Sequence, residues 1–254
     1  MTKVIAILNQ KGGVGKTTTA INLGAYLAKR GRSVLIVDLD PQGNATSGLG
    51  IDKQQLDSTM YDVLFGKADL AATSNDTSVA GLRVVPTNQT LAAAEVDLAN
   101  EEQREFKLKK ALTKAVYDYI LIDCPPALGL LTINALTAAT DVLIPVQAEY
   151  YALEGLGQLL SVFQRVQQSG LNPGLQLMGV VVTMHDGRTA LSEQVVSELK
   201  KHFGAKLFNT IIPRNVRLAE APSHGKSIME HDKWSKGARA YKQLAKEVDG
   251  RGDK

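Results

Sequence analysis

The sequence predicts an α/β fold, with a mostly parallel, twisted β-sheet covered by helices on both faces. Apolar runs rich in β-branched residues alternate with helical patterns along nearly all of the 254 residues. The predicted buried strands are residues 3–8, 33–40, 82–87, 117–126, 141–147, 175–184 and 206–213. The predicted helices are residues 18–30, 88–115, 130–139, 153–169 and 189–203. We predict one domain over residues 1–254, with an irregular loop at 43–58 and a polar turn at 73–78.

The composition argues against several classes of protein. A single cysteine, Cys124, excludes an internal disulfide framework and fits a reducing compartment, so we expect a cytoplasmic protein. No apolar run approaches the roughly 20 residues of a membrane-spanning helix, and no signal-peptide pattern is present. The net charge is +3, but residues 185–246 hold 12 Lys and Arg against 6 Asp and Glu. This mild bias is typical of a solvated face or of a nucleic-acid contact.

A glycine-rich stretch, NQKGGVGKTTTA at residues 9–20, separates the first predicted strand from the first predicted helix. Such a turn directs backbone N–H groups and the positive end of a helix dipole at one point, where an anion is stabilised. The stretch is a variant of the phosphate-binding pattern G-x-x-x-x-G-K-[ST], with Gln10 at the first glycine position. Lys16 would reach the β and γ phosphates of a nucleotide, and the Thr17 hydroxyl would ligate Mg²⁺. The predicted phosphate-binding residues are Gly12, Gly13, Val14, Gly15, Lys16, Thr17 and Thr18.

Three aspartates stand at the carboxyl ends of predicted strands. Asp38 and Asp40 end the second strand, and Asp123 follows the apolar run YILI. Because ligands of open α/β sheets bind beyond these ends, we expect the three carboxylates near the phosphates. An aspartate in such a place can hold Mg²⁺ directly or through water, although each one alone would also suit a turn or a helix N-cap. The pattern predicts that Asp123 holds the Mg²⁺ that Thr17 ligates, with Asp38 and Asp40 close by.

Five blocks along the chain carry a family resemblance: KGGVGKTT, VDLDPQGNAT, YILIDCPP, PVQAEYYALEGL and IPRNVRLAEAPSHGK. They resemble the ParA/Soj family of DNA-partitioning ATPases, of the chromosomal type, nearly from end to end. The first block alone marks the wider deviant Walker A group of P-loop NTPases, which also holds MinD-type and ArsA-type ATPases. The resemblance implies an ATPase that uses ATP and Mg²⁺. We expect no N-terminal helix-turn-helix, because the first strand starts at Lys3.

The resemblance gives the second lysine of the loop, Lys11, a role. In the family this lysine reaches across a nucleotide-sandwich homodimer to the ATP phosphates of the partner. A cation supplied this way offsets the like charge of two facing ATP molecules and stabilises the phosphoryl group, much as an arginine finger does. The match thus implies catalytic roles for Lys11, Lys16 and Asp40, of which Asp40 orients the attacking water.

The same match implies the remaining nucleotide contacts. Asp38 would lie in the Mg²⁺ shell of the first switch segment, and Asp123 would be the Walker B acid. In the IPRN block, Pro213 and Asn215 match the positions that hold adenine in the family.

The resemblance also implies macromolecular partners. Family members bind double-stranded DNA non-specifically as ATP-bound homodimers, and a ParB-like centromere-binding protein stimulates hydrolysis, so nucleoid association is expected. Arg188 and Arg217 match basic positions implicated in DNA binding. Such contacts neutralise phosphates without reading bases. Further lysines predicted on the same face are Lys200, Lys201, Lys226, Lys233 and Lys236.

Two alternatives stay open, a MinD-like membrane-associated ATPase of the division site and a ParA-like ATPase that positions a non-DNA cargo. MinD-type proteins end in an amphipathic membrane helix. Here the apolar stripe of the tail is narrow and built from small residues, so we predict that it packs on the body and binds no membrane. The stripe consists of Ala238, Tyr241, Leu244, Ala245 and Val248.

Overall fold

The computed structural model describes residues 2–149 and 154–252, and within these ranges eight strands form one sheet. The order across the sheet is β3-β4-β2-β5-β1-β6-β7-β8. The strands are β1 Lys3–Ile7, β2 Val34–Asp38, β3 Asn75–Asp76, β4 Leu82–Val85, β5 Tyr119–Asp123, β6 Asp141–Gln147, β7 Gln176–His185 and β8 Leu207–Pro213. All neighbours pair in parallel except β3, which is antiparallel to β4. This confirms the predicted mostly parallel sheet.

Helices cover both faces of this sheet. They are α1 Lys16–Lys29, α2 Asn44–Gly48, α3 Met60–Leu64, α4 Leu70–Thr73, α5 Ala94–Asp97, α6 Lys107–Leu112, α7 Leu130–Ala138, α8 Glu154–Gln168, α9 Ala190–Phe203, α10 Val216–Glu220, α11 Ile228–His231 and α12 Lys236–Gly252. Residue 153, where we predicted the start of α8, and residues 150–152 of the PVQAEYYALEGL block lie outside the described residues.

Side chains of each central strand enter two cores in alternation, as the period of two in a strand requires. In β1, Val4 and Ala6 pack into one core and Ile5 and Ile7 into the other. Helices α3 to α9 cover the first core, and α1, α2 and α10 to α12 cover the second. Burial on both faces explains why these strands are continuous apolar runs that are recognisable from sequence. The prediction of a single domain stays a prediction, which the one shared sheet supports.

The predicted helix at 88–115 is wrong, because local and tertiary hydrogen bonds break it. The Asn88 side chain accepts the N–H of Thr90, and Gln103 adopts a left-handed backbone with φ of 51°. The Glu95 carboxylate accepts the N–H of Leu130 at 2.7 Å and so caps α7. The segment therefore forms α5, α6 and three 3₁₀ turns at Gln89–Ala93, Leu98–Asn100 and Arg104–Phe106.

Two segments predicted to be irregular contain regular structure. The loop at 43–58 begins with α2, and the polar turn at 73–78 contains the short edge strand β3. Both elements are very short, so they carry too few residues for a periodic pattern.

The predicted packing of the C-terminal stripe is confirmed. All five stripe residues are at most 1% exposed, and α12 packs against α1 and β8. The Tyr241 hydroxyl shares a 3.1 Å hydrogen bond with the Thr19 hydroxyl on α1. Asp249 accepts hydrogen bonds from Arg30 and Arg32 at 2.8 and 2.9 Å. Within the described residues, no helix has the length and apolar character needed to cross a membrane.

Strand register brings the predicted site together. Asp38 at the end of β2 lies opposite Asp123 at the end of β5, and Asp123 lies opposite Ile7 at the end of β1. The glycine loop leaves β1 at the same edge of the sheet. The glycine loop and the two strand ends that carry Asp38 and Asp123 therefore lie next to each other.

Candidate functional site

The glycine loop forms an anion cradle between β1 and α1. Gly13 and Gly15 have φ of 73° and 91°, a conformation that side chains other than glycine rarely adopt. In the described part of the chain, the N-cap of α1 is Gly15, which has no side chain to cap the amino end of the helix. Its first backbone N–H groups are therefore available to an anion, and the helix dipole favours one there. Helix α1 begins at Lys16 rather than at the predicted residue 18, which puts Lys16 and Thr17 in its first turn.

Two polar residues that the sequence analysis missed brace this loop. The Asn9 side chain donates to the carbonyl of Pro145 at 2.8 Å and accepts the N–H of Lys11 at 3.0 Å. From β7, the Thr183 hydroxyl donates to the carbonyl of Val14 at 2.8 Å. These bonds tie the loop to neighbouring strands, so its shape is set by the sheet. The only sequence signal is a polar residue within or directly after an apolar run.

Lys16 lies inside the cradle and is only 7% exposed. Its ammonium group donates to the carbonyl of Lys11 at 3.2 Å, across the loop. Burial lowers the pKa of Lys16, while the charges of Asp123 and Asp40 favour its protonated form. A partly desolvated cation in a ring of N–H groups suits contact with phosphate oxygens.

Asp123 is fully buried, and neither of its carboxylate oxygens has a hydrogen-bond partner among the described residues. Burial and the neighbouring Asp38 carboxylate raise the pKa of Asp123 well above the usual range. The Thr17 hydroxyl, which is near but outside hydrogen-bond geometry, and the charge of Lys16 lower this pKa by less. Buried, unpartnered oxygens of this kind can ligate Mg²⁺ or accept hydrogen bonds from its bound waters.

The described residues contain no group of three or more His, Cys, Asp or Glu side chains able to hold a metal ion by themselves. Mg²⁺ commonly takes one or two carboxylates and completes its shell with waters and substrate phosphates. The present side chains therefore fit a magnesium ion that arrives with a nucleotide. The ligand roles of Thr17, Asp38 and Asp123 stay predictions.

Asp38 is held by a residue of the following segment. Its carboxylate accepts the N–H and the hydroxyl of Thr46 at 2.7 and 2.6 Å. The Thr46 hydroxyl in turn accepts the N–H of Thr87 at 3.0 Å. Thr46 bonds to one Asp38 oxygen, and the other oxygen accepts the N–H of Asp40 at 3.4 Å. Asp38 thus fixes the segment after β2, and the hydrogen bonds on both oxygens suit a magnesium contact through water. Thr46, a buried polar residue of α2, was missed by the sequence analysis.

Asp40 begins the turn after β2 and is 9% exposed. Its carboxylate accepts the N–H of Gln42 at 3.0 Å, and its carbonyl accepts the N–H of Gly43 at 2.8 Å. Gly43 has φ of 60°, and a Cβ there would lie 2.8 Å from the carbonyl oxygen of Thr87. Asp40 therefore stabilises the turn, as the sequence allowed. The turn places its carboxylate close enough to Lys16 to favour the protonated form of the lysine.

The burial of Asp38 predicts a pH effect on the stability of the magnesium-free protein. Burial raises the pKa of Asp38 to about 6. A carboxyl whose pKa is higher in the folded than in the unfolded state stabilises the fold below its unfolded pKa, and this contribution is lost as pH rises through about 6. Asparagine does not titrate. Between about pH 4 and about pH 7 we therefore expect the free energy of unfolding to fall by on the order of 1–3 kcal/mol less in the Asp38→Asn protein than in the unmodified protein. The measurement is urea unfolding in chelator at about pH 4 and about pH 7, and identical pH dependence in both proteins would contradict the assignment.

Lys11, the second lysine of the loop, points away from the cradle. Its ammonium group lies 2.7 Å from the Glu149 carboxylate, and both side chains are more than 40% exposed. The other oxygen of Glu149 accepts the Gln147 side-chain amide at 2.5 Å. The two lysines thus occupy different places, Lys16 inside the loop and Lys11 on its outer surface.

The predicted adenine contacts lie at the carboxyl end of β8, an edge strand of the sheet. Pro213 ends β8 opposite His185 of β7. Asn215 is the N-cap of α10, and its side chain accepts the N–H of Leu218 at 3.3 Å. The structure accounts for Asn215 as a helix cap, and its contact with adenine stays a prediction.

Comparison with known proteins decides the family. A family model described as an AAA domain matches residues 2–177. The Bacillus subtilis (strain 168) protein named sporulation initiation inhibitor protein Soj is 57% identical over 254 residues, covering 99% of this chain and 100% of the relative. The chromosome partitioning protein ParA of Caulobacter vibrioides (strain NA1000 / CB15N) is 49% identical over 253 residues, covering 98% of this chain and 94% of the relative. The chain belongs to the ParA/Soj family.

A solved structure resembles this ParA/Soj chain over nearly its whole length. It is described as cobyrinic acid a,c-diamide synthase from Mycobacterium smegmatis with bound ADP and magnesium, and it is 41% identical with a TM-score of 0.85. The match covers 97% of this chain and 93% of that structure. These comparisons confirm the predicted fold, the ParA/Soj family and the ATPase class. The ADP and magnesium of that structure are of the ligand class that the glycine loop predicts here.

The two arginines predicted for DNA binding in this ParA/Soj chain are exposed but locally paired. Arg188 follows β7 and donates to both carboxylate oxygens of Asp186, at 2.9 and 2.7 Å. Arg217 on α10 lies 2.8 Å from the Glu220 carboxylate and 3.8 Å from that of Asp232. A phosphate contact at either arginine therefore competes with a carboxylate of the same chain.

The five predicted DNA-binding lysines lie on two parts of the chain, the end of α9 and the segment from α10 to the start of α12. Lys200 and Lys201 lie in the last turn of α9, whereas Arg188 precedes its first turn, which separates them by most of a helix about 20 Å long. Lys201 also pairs with Glu198 at 2.5 Å. The other three lysines are exposed and follow Arg217 along the chain. Lys226 and Lys233 lie between α10 and α12, and Lys236 begins α12. The shared face and the DNA roles of all these residues stay predictions.

Proposed function

We propose that this chain is an ATP-driven switch for the partitioning of DNA. ATP binding closes a homodimer, the dimer binds double-stranded DNA without sequence preference, and hydrolysis releases it. The observation that carries the proposal is the pair of lysines in one glycine loop, Lys16 buried in the cradle and Lys11 exposed outside it. A monomeric nucleotide site needs only the first of them.

Each group of the site has a task in this proposal. The loop N–H groups and Lys16 hold the phosphates, and Mg²⁺, bound near Thr17 and Asp123, neutralises charge on the β and γ phosphates. Asp40 holds and orients the attacking water from the turn after β2. Asp38 positions that turn through Thr46, so movement of the turn is coupled to the occupancy of the site.

The exposed position of Lys11 supports a task in trans. Two nucleotides that face each other bring strong negative charge into a dimer interface, and a cation from the partner offsets it. In the described structure Lys11 instead pairs in cis with Glu149. Exchange of this partner for phosphate would then accompany dimer closure.

The cis pair gives a prediction for Glu149→Gln. Removal of the carboxylate frees Lys11. An exposed pair of this kind contributes roughly 0.2–1 kcal/mol, so ATP-dependent dimerisation should strengthen about 1.4- to fivefold. Sedimentation equilibrium in an Asp40→Ala background measures it. Glu198→Gln, which breaks an exposed pair on α9, is the matched control. Weaker dimerisation of the Glu149 variant would mean that this carboxylate supports the dimer.

The DNA step is tested by the double variant Arg188→Glu with Arg217→Glu. Loss of phosphate contacts should weaken duplex binding at least about tenfold and reduce its salt dependence, because fewer counterions are released. ATP-dependent dimerisation should be unchanged. The matched control is Lys109→Glu with Lys110→Glu, the same change of charge on α6. Undiminished DNA affinity of the arginine variant would move the DNA surface elsewhere.

The MinD-like alternative receives no support from the tail, because its apolar stripe is buried against the body. A cargo-positioning ATPase would share the nucleotide chemistry and differ in its partner. For the partner we propose a ParB-like centromere-binding protein that stimulates hydrolysis, with the protein located on the nucleoid in the cytoplasm.

A further inference from the structure

A basic groove lies at the far end of α1 from the glycine loop. The 14 residues of α1 separate the two sites by about 20 Å. The groove has a volume of about 700 Å³ and runs between the end of α1, the turn before α12 and the outer face of α12. We call it the α1–α12 groove and define it by six of its lining residues, five cations and one tryptophan: Lys29, Lys233, Trp234, Arg239, Lys242 and Lys246.

We propose that the α1–α12 groove binds an acidic peptide segment of a partner protein, with an apolar anchor residue packed on Trp234. This site is separate from the nucleotide cradle and from the proposed DNA contacts of Arg188 and Arg217, and it shares Lys233 with the lysines predicted to bind DNA.

The groove carries uncompensated positive charge. All five of its defining cations lack an ion-pair partner among the described residues. Arg30, a sixth cation at the groove, is paired with Asp249 at 2.8 Å. Among the residues that the structure describes, no Asp or Glu lines the groove. By contrast, Arg188 and Arg217 already have carboxylate partners. Carboxylates in the groove would gain new ion pairs without displacing any.

The cations on α12 form a row. Arg239, Lys242 and Lys246 recur at helical spacing, on the face opposite the buried stripe. The row is about 10 Å long, which an extended peptide spans with about three residues. Closely spaced acidic residues on one short segment can therefore meet the whole row.

The apolar part of the groove distinguishes a peptide from a nucleic-acid duplex. The Trp234 side chain is 78% exposed, the one large aromatic among the exposed hydrophobic residues of the described chain, and the half-buried Met229 lies beside it in the groove wall. The Lys233 ammonium group sits 5.3 Å from the centre of the Trp234 ring. Phosphate contacts would use the lysines alone and leave Trp234 in water. A peptide with glutamates and a leucine or phenylalanine covers both the charge and the ring, as in interfaces anchored by tryptophan.

Trp234 is also the reporter for the test, because it is the only tryptophan in the chain. The probe is a short synthetic peptide of glutamates with two leucines, added to the full-length protein while Trp234 emission is recorded. We expect a saturable change in emission that weakens with added salt. The same peptide with glutamine in place of glutamate should cause none. An unchanged emission with the acidic peptide would overturn the proposal.

Variants locate the binding. Lys242→Glu with Lys246→Glu should weaken peptide binding about tenfold, because two exposed ion pairs are lost and each reversed charge repels a glutamate. The matched pair Lys109→Glu with Lys110→Glu on α6 should bind the peptide like the unmodified protein. ATP binding should be retained in both variants, so failure of this proposal is distinguishable from failure of the ATP switch. Equal peptide affinity in all three proteins would overturn it.

Two further readouts exclude other occupants. If duplex or single-stranded oligonucleotides quench Trp234 emission and bind with higher affinity than the peptide, the groove belongs to nucleic acid and the proposal is overturned. A change in Trp234 emission with protein concentration alone, accompanied by faster sedimentation, would assign the groove to a second copy of the chain and also overturn it.

Discussion

Replacement of Lys16 by alanine is expected to weaken MgATP binding at least about a hundredfold. The Lys16 ammonium group is the cation inside the cradle, only 7% exposed and aimed across the loop. Charge-assisted hydrogen bonds to phosphate in such a desolvated place contribute about 1.5–3 kcal/mol. Loss of the positive charge near the aspartates that end β2 and β5 adds to this effect. Calorimetric titration with a slowly hydrolysed ATP analogue measures the effect.

A control separates this effect from misfolding. Lys29→Ala removes an exposed lysine at the other end of the same helix and should bind the analogue normally. Unfolding of both variants in urea shows whether the fold is intact. Near-normal affinity in a folded Lys16→Ala protein would contradict the placement of phosphate in this loop.

Replacement of Asp40 by alanine is expected to lower ATP turnover by a factor of about 10²–10⁴ while leaving ATP binding intact. The carboxylate is nearly buried in the turn after β2, at the edge of the sheet that holds the loop. Loss of a positioned group that orients or deprotonates water typically has this magnitude. Because ATP would then persist, the ATP-bound dimer should live longer.

Single-turnover hydrolysis followed by phosphate release measures the Asp40 effect. Asp52→Ala, an exposed aspartate of the same connection, should turn over ATP normally. Rapid hydrolysis by the Asp40 variant would leave Asp40 with its structural role alone, the turn held by its bond to Gln42.

Much of the fold was predictable because its strands are buried on both faces. Residues 34–38 and 119–123 are apolar up to the final aspartate, so both the strand and its functional end are visible in the sequence. The segment 88–115 was not predictable in the same way. Its helical pattern is overridden by Gln103, which has a left-handed backbone, and by Glu95, whose carboxylate caps a helix far along the chain.

The candidate site likewise has one part that was predictable from the sequence and one part that was not. The cradle is a local pattern of glycines, Lys16 and Thr17, and local patterns can be read from sequence. Thr46 and Thr183 support it through bonds to Asp38 and to the loop that span 8 and 169 positions. The pairing of Lys11 with Glu149 spans 138 positions. The two partners that are more than 100 positions apart are brought together by strand order, which no local pattern contains.

The central claim is that nucleotide, dimer and DNA form one switch, and one measurement tests it most directly. Duplex DNA binding of the Asp40→Ala protein is measured with ATP, with ADP and without nucleotide, at a low and a high salt concentration. The account predicts strong binding with ATP only, weakened steeply by salt because phosphate neutralisation provides the affinity. Equal binding in all three nucleotide states, or none in any of them, would contradict the account.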